Sequence, residues 1–84
     1  MVRLYTQPGC MPCMVTKRSL DKAGIEYETV NVREDPAALE ELRRRDFAST
    51  PAIIATVGGR EYAWSGHRPD DIAALAFLLK EAAA

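Results

Sequence analysis

The sequence predicts an α/β domain in which a four-stranded mixed sheet carries three helices. Three observations point there. An alternating strand at the N-terminus runs into a helix that opens on Cys-x-x-Cys, and a second strand follows it. An apolar run turns back on itself at Gly58-Gly59. The final stretch carries the apolar stripe of a helix lying on a sheet. A chain of 84 residues suits one domain, residues 1–84, with one modest core.

Each element has its own signal. In Val2 to Thr6, Val2, Leu4 and Thr6 share one face and Arg3 and Tyr5 the other. Gln7-Pro8-Gly9 is a short loop that delivers Cys10. Met11 to Ala23 reads as a helix, with Pro12 in its first turn and Gly24 as its C-terminal stop. Cys13, Thr16, Leu20 and Ala23 form its inner face, and Lys17, Arg18, Asp21 and Lys22 cover the rest. Ile25 to Val32 reads as the second strand. Asp35 is an N-cap for a helix with Pro36 at its first position. Leu39, Leu42 and Asp46/Phe47 trace its inner stripe, in which Asp46 fits poorly. Glu40 with Arg44 and Glu41 with Arg45 are ion pairs four apart on its outer face. Ala52 to Val57 and Arg60 to Trp64 form a hairpin, and a last helix starts near Pro69 with Ile72, Leu75, Ala76 and Leu79 facing inward. The first βαβ unit requires parallel strands and a right-handed crossover; the hairpin adds an antiparallel pair.

Composition excludes several function classes. Eight Arg and three Lys against twelve acids give a net charge of -1, which argues against a nucleic-acid stripe. Arg43-Arg44-Arg45 reads as a solvated helix face. No apolar run approaches the ~18 residues of a membrane span. The opening "MVRLYTQ" lacks the apolar core of a signal peptide, so the expected location is the cytoplasm. Cytoplasmic thiols are kept reduced, which makes a cysteine pair there catalytic or metal-binding before it is structural.

The chain's two cysteines lie in "TQPGCMPCM". A disulfide is exchanged by a thiolate, and a thiol with pKa near ~8.5 is mostly protonated at neutral pH. Cys10 stands where a helix begins, and the unpaired N–H groups and positive dipole end there stabilise an anion. Cys10 is therefore the expected attacking sulfur, with a lowered pKa. Cys13, one turn on, is placed to resolve the mixed disulfide. Pro8, Met11 and Pro12 complete the loop around them. As a staple, a Cys10–Cys13 bond would close a loop too short to stabilise much. A structural zinc needs four ligands, and the chain offers two Cys and one His, so a metal site or an iron–sulfur cluster would need a second chain. Met11 reads as an exposed apolar contact and Met14 as helix packing.

A strand, a short loop and Cys-x-x-Cys opening a helix within βαβ is the thioredoxin-like redox arrangement. The chain resembles the small glutaredoxin-like members of that superfamily from end to end, and among them the NrdH-type redoxins. The residues that carry the resemblance are "YTQPGCMPC" at Tyr5 to Cys13, "STP" at Ser49 to Pro51 and "WSGHRPDDI" at Trp64 to Ile72. The resemblance implies a thioredoxin fold with strand order 2-1-3-4. It implies a cis bond at Thr50-Pro51 facing the cysteines, with Thr50 offering its backbone to an extended partner. It implies that Trp64, Ser65, Gly66, His67, Arg68 and Pro69 form a packed, partner-facing loop where glutaredoxins hold glutathione. From its own chemistry Trp64 reads either as hairpin packing against the last helix or as a partly exposed docking residue, and both hold where one ring face is buried and the edge is hydrogen-bonded. Gln7 stands where the family usually has Lys, and His67 where it usually has Phe; as a lone loop histidine, His67 reads as solvated.

The function this resemblance implies is dithiol–disulfide exchange. Electrons would pass from NADPH through thioredoxin reductase to a protein disulfide, with the large subunit of class Ib ribonucleotide reductase as the target. The expected protein is a monomer with no cofactor beyond its Cys10–Cys13 disulfide. It would bind neither nucleic acid nor membrane. The alternatives are a glutathione-dependent glutaredoxin, in which Arg68 replaces the missing cation, and a metal or iron–sulfur carrier.

Overall fold

The alternation of Val2 to Thr6 becomes strand β1 (Val2–Thr6), and its two faces feed two separate layers of core. This is seen in a computed structural model, which describes residues 1–83. The elements in order are β1, α1 (Met11–Lys22), β2 (Glu28–Asn31), α2 (Pro36–Arg44), β3 (Ala52–Val57), β4 (Arg60–Ser65) and α3 (Pro69–Ala83). The sheet order is β2-β1-β3-β4. β1 pairs parallel with β2, Leu4 opposite Thr29, and antiparallel with β3, Leu4 opposite Ile53. β3 and β4 form the expected hairpin, closed by Gly58 and Gly59 at φ 59° and 80°, backbone that side chains other than glycine's rarely adopt. This is the thioredoxin-like architecture implied by the resemblance.

Val2 and Leu4 pack with Leu20, Ile53, Trp64, Ile72 and Leu75 under α1 and α3. Tyr5 points the other way and packs with Val32, Ala38, Leu42 and Ala52 under α2. The α3 stripe lies as its spacing requires, with Ile72 and Leu75 buried and Ala76 and Leu79 packed beside them. Among the described residues no helix is long and apolar enough to cross a membrane.

Helix ends explain where the structure departs from the sequence reading. α1 closes at Lys22, so Ala23 is a C-cap exposed to solvent and not part of the buried face. Gly24 follows at φ 73°, its N–H donating to Asp21 O at 3.1 Å, and Ile25 N–H reaches back to Leu20 O at 3.0 Å. This Schellman closure spends the Ile25 N–H on the helix, so the second strand starts at Glu28 and not at Ile25. α2 ends the same way. Asp46 takes the left-handed conformation, φ 59°, and the N–H groups of Asp46 and Phe47 return to Arg43 O (3.0 Å) and Leu42 O (2.9 Å). Asp46 thus fits the stripe poorly because it lies past the helix, while Phe47 folds back against the Leu42 cluster. Asp35 caps α2 as expected, its carboxylate accepting from Ala38 N–H at 3.1 Å. The expected Glu40–Arg44 pair does not form: Arg44 turns to Glu41, which also binds Arg45 at 2.9 Å. Arg45 bridges on to Glu61 of β4 at 2.7 Å.

Two measurements check this packing. Ile53 lies at the centre of the sheet, fully buried, so Ile53→Ala should lower unfolding free energy by about 2–5 kcal/mol in urea titration. Burial, and then a 2.7 Å hydrogen bond to Asp21, push the Tyr27 phenol from 10.0 up to about 12. The folded state thus favours the neutral phenol. Its contribution to stability is whole below pH 10.0 and is lost as pH rises through about 12. Tyr27→Phe should flatten the alkaline limb of the stability profile in that window and remove a late-titrating tyrosinate absorbance.

Candidate active site

β1 ends at Thr6, and the Gln7–Gly9 turn sets Cys10 as the N-cap of α1 with extended backbone, φ -88° and ψ 103°. Its sulfur accepts the Cys13 N–H at 3.2 Å, and its carbonyl accepts Met14 N–H at 3.3 Å. Pro12 stands in the first turn, where a missing N–H leaves nothing unpaired. Cys10 and Cys13 are joined as a disulfide with their Cα atoms 5.2 Å apart. Cys13 lies on the buried face of α1 at 4% exposure, whereas Cys10 is only partly covered. A partner sulfur can therefore reach Cys10, and only Cys10 can reach Cys13.

Thr50 and Pro51 meet the same sulfur from across the sheet. Their peptide bond is cis. The Thr50 hydroxyl donates to Cys10 Sγ at 3.5 Å, and the Thr50 carbonyl oxygen lies 3.6 Å from that sulfur. Once the disulfide opens, a thiolate on Cys10 meets two donors, the Cys13 N–H and the Thr50 hydroxyl, and both favour the charged form. No acidic residue stands in the first turn of α1 to oppose it.

The Trp64–Pro69 stretch divides in two. Gly66 N–H donates to Pro51 O at 2.7 Å, and His67 Nδ1 pairs with Thr16 Oγ1 of α1 at 2.8 Å. The expectation that His67 is merely solvated is thus corrected: it is half-buried and linked to a fully buried hydroxyl. Trp64 belongs to the core at 8% exposure, and its indole N–H finds no partner among the described residues, so the expected edge hydrogen bond is absent. Ser65 ends β4 opposite Ala52. Arg68 and Pro69 reach solvent at the start of α3, where Arg68 pairs with Asp71 at 3.3 Å. Trp64, Arg68 and Asp71 share a groove of about 340 Å³.

A smaller groove of about 230 Å³ touches both cysteines and is walled by Gln7, Met14, Lys17 and Thr29. Lys17, exposed on α1, lines this groove together with the cysteines. Its signal in the sequence is its place one turn beyond Cys13. Thr16 was assigned to the core, and nothing local marks it as a partner for a residue 51 positions away. Met11 is 68% exposed and Met14 50%, so Met14 is not helix packing but part of an apolar skirt with Met11 around the disulfide. Pro8 and Pro12 are exposed beside them. Among the described residues no cluster of three or more His, Cys, Asp or Glu can hold a metal ion.

The family model of glutaredoxin matches residues 2–60. The glutaredoxin-like protein NrdH of Escherichia coli K12 is 38% identical over 71 residues, which cover 84% of this chain and 83% of that one. The protein of the same description from Lactococcus lactis subsp. lactis is 32% identical over 76 residues, 90% of this chain and the whole of that one. Among solved structures, the glutaredoxin-like NrdH-redoxin of Escherichia coli, whose activity profile is thioredoxin-like, superposes with a TM-score of 0.80. That match has 38% identity and covers 88% of this chain and 92% of that one.

The geometry assigns the two sulfurs different fates. In the reduced protein, iodoacetamide should modify Cys10 well before Cys13, as peptide mass mapping would record. Cys13→Ser should accumulate a mixed disulfide on Cys10 when mixed with a protein disulfide, and Cys10→Ser should accumulate none. Equal alkylation of the two thiols would remove the assignment.

Proposed function

The chain belongs to the glutaredoxin family, and from that premise we propose that it carries electrons from NADPH, through a thioredoxin reductase, to protein disulfides. It is a thiol–disulfide oxidoreductase of the NrdH-redoxin type, and the Cys10–Cys13 pair is its redox centre. The target we propose is the large subunit of a class Ib ribonucleotide reductase, met in the cytoplasm by a monomeric protein. No cofactor is needed beyond the disulfide itself, and no nucleic acid or membrane takes part.

The exchange balances within the two cysteines and the partner. The Cys10 thiolate attacks one sulfur of the partner disulfide. That S–S bond breaks, one partner sulfur leaves as a thiolate and takes a proton, and Cys10 is bonded to the other. The Cys13 thiol loses its proton to solvent and attacks Cys10 Sγ, releasing the second partner thiolate. Two electrons have moved to the partner, and the reductase returns them by opening Cys10–Cys13.

One observation carries the choice of reductant: the similarity to the Escherichia coli NrdH-redoxin, a protein with a thioredoxin-like activity profile, extends over most of both chains. The Arg68 guanidinium, the cation that could take a glutathione carboxylate in place of the absent lysine, is already paired with Asp71. NADPH consumption on a model protein disulfide, run with thioredoxin reductase in one arm and with glutathione and glutathione reductase in the other, tests this. Turnover is expected in the first arm only. Turnover confined to the glutathione arm would overturn the proposal and make Arg68, Thr50 and Asp71 the ligand residues.

A further inference from the structure

Two neighbouring residues, Gly66 and His67, tie one loop to both sides of the disulfide. The Gly66 N–H is bound to Pro51 O at 2.7 Å, and Pro51 follows Thr50, whose hydroxyl touches Cys10 Sγ. His67 Nδ1 is bound to Thr16 Oγ1 at 2.8 Å, and Thr16 stands one helical turn beyond Cys13 on the same buried face. The loop therefore spans from the start of β3 to α1. The Gly66 link is made by backbone, at a φ of 89° that favours glycine. The His67 link depends on side chains alone. Thr16 is 0% exposed, so with His67 in place its hydroxyl is shielded from water and bound to the imidazole alone among side chains. A hydroxyl both donates and accepts, so the pair forms with either imidazole tautomer.

We infer that His67 is a positioning residue for partner docking: with Thr16 it braces α1 against the Ser65–Arg68 loop and holds Thr50 in place beside Cys10. An extended partner segment has to lie along Thr50 to bring its sulfur in line with Cys10. Loosening the brace widens the set of Cys10–Thr50 arrangements the free protein samples, so a protein disulfide finds the productive one less often and binds more weakly. A small disulfide needs only the sulfur. The inference rests on the exchange reading above, but it does not depend on which reductase supplies the electrons.

Single-turnover oxidation of pre-reduced protein separates these points, because no reductase is present. With insulin as the protein disulfide, His67→Ala should raise the half-saturating concentration about three- to tenfold, the size of one lost hydrogen bond, with the limiting rate held within about twofold. Its rate with a small aromatic disulfide should match wild type. Thr16→Val should reproduce the effect, and the double variant should be no worse than either single one. His67→Asn, whose amide falls where Nδ1 lies, should restore most of the affinity, and His67→Gln should not. An unchanged half-saturation in His67→Ala, additive single effects, or an equal loss with the small disulfide overturns the inference. Should His67→Ala fail to fold, the Asn and Gln variants decide, and equal values for them overturn it. A wild-type protein inert toward both disulfides overturns the exchange reading and this inference together.

Discussion

The site depends on a helix that begins on a cysteine. Every α-helix leaves its first N–H groups without an intrahelical acceptor, and a polar side chain at the N-cap usually fills the gap. In this chain the cap is the Cys10 sulfur, 3.2 Å from the Cys13 N–H. One contact thus does two jobs. It closes the helix end in the oxidised protein, and it offers a hydrogen bond and a positive dipole end to the thiolate in the reduced one. The spacing of two residues between the cysteines follows from the same geometry, since a side chain three positions on returns to the same side of the helix.

The sheet converts that local arrangement into a site. β1 is central, paired with β2 on one side and β3 on the other, so the turn that follows it emerges from the most supported strand. β3 begins at Ala52, immediately after the cis Thr50-Pro51 bond, and runs antiparallel to β1. The end of β1 and the start of β3 therefore lie side by side, and Thr50 meets Cys10 from 40 positions away in sequence. Cores on both faces hold this register: shifting β1 by one residue would exchange Leu4 with Tyr5 and bury Arg3 under α1 and α3.

Local signals made most of the fold legible. Strand alternation, Asp35-Pro36, Gly58-Gly59 and the Ile72–Leu79 stripe each act within a few residues, and each appears where it was expected. The misplaced boundaries share one cause. A Schellman closure draws an N–H from beyond the helix, so Ile25 and Phe47, which look like a strand residue and a stripe residue, are the ends of helices. Gly24 announces the first closure; Asp46 announces the second only faintly, because an aspartate in left-handed backbone is uncommon. In the site, Cys10 and Cys13 were legible from spacing alone. The Thr50 contact and the Gly66 link were not, since the first joins residues 40 positions apart and the second joins two separate loops, and only resemblance placed them near the cysteines. The Thr16–His67 pair had no signal of either kind. Neither a threonine on a buried face nor a histidine in a loop advertises the other.

Two large apolar side chains stand exposed beside Cys10, Met11 at 68% exposure and Met14 at 50%. A carrier of electrons has to leave each partner as readily as it meets it. Large interfaces hold their partners, while small ones belong to transient encounters. A covalent mixed disulfide removes the need for a large one, because the bond itself holds the complex for the interval between attack and resolution. What the surface then has to supply is modest: contacts that fit more than one partner and let go once Cys13 has reacted. Two flexible thioethers beside the reacting sulfur do this better than a shaped pocket, since methionine adapts its rotamers to whatever surface it meets. The same reasoning explains the contrast between the two cysteines. The one that bonds to partners sits in the soft, open rim, and the one that ends the encounter is buried behind it, where no partner can reach it first.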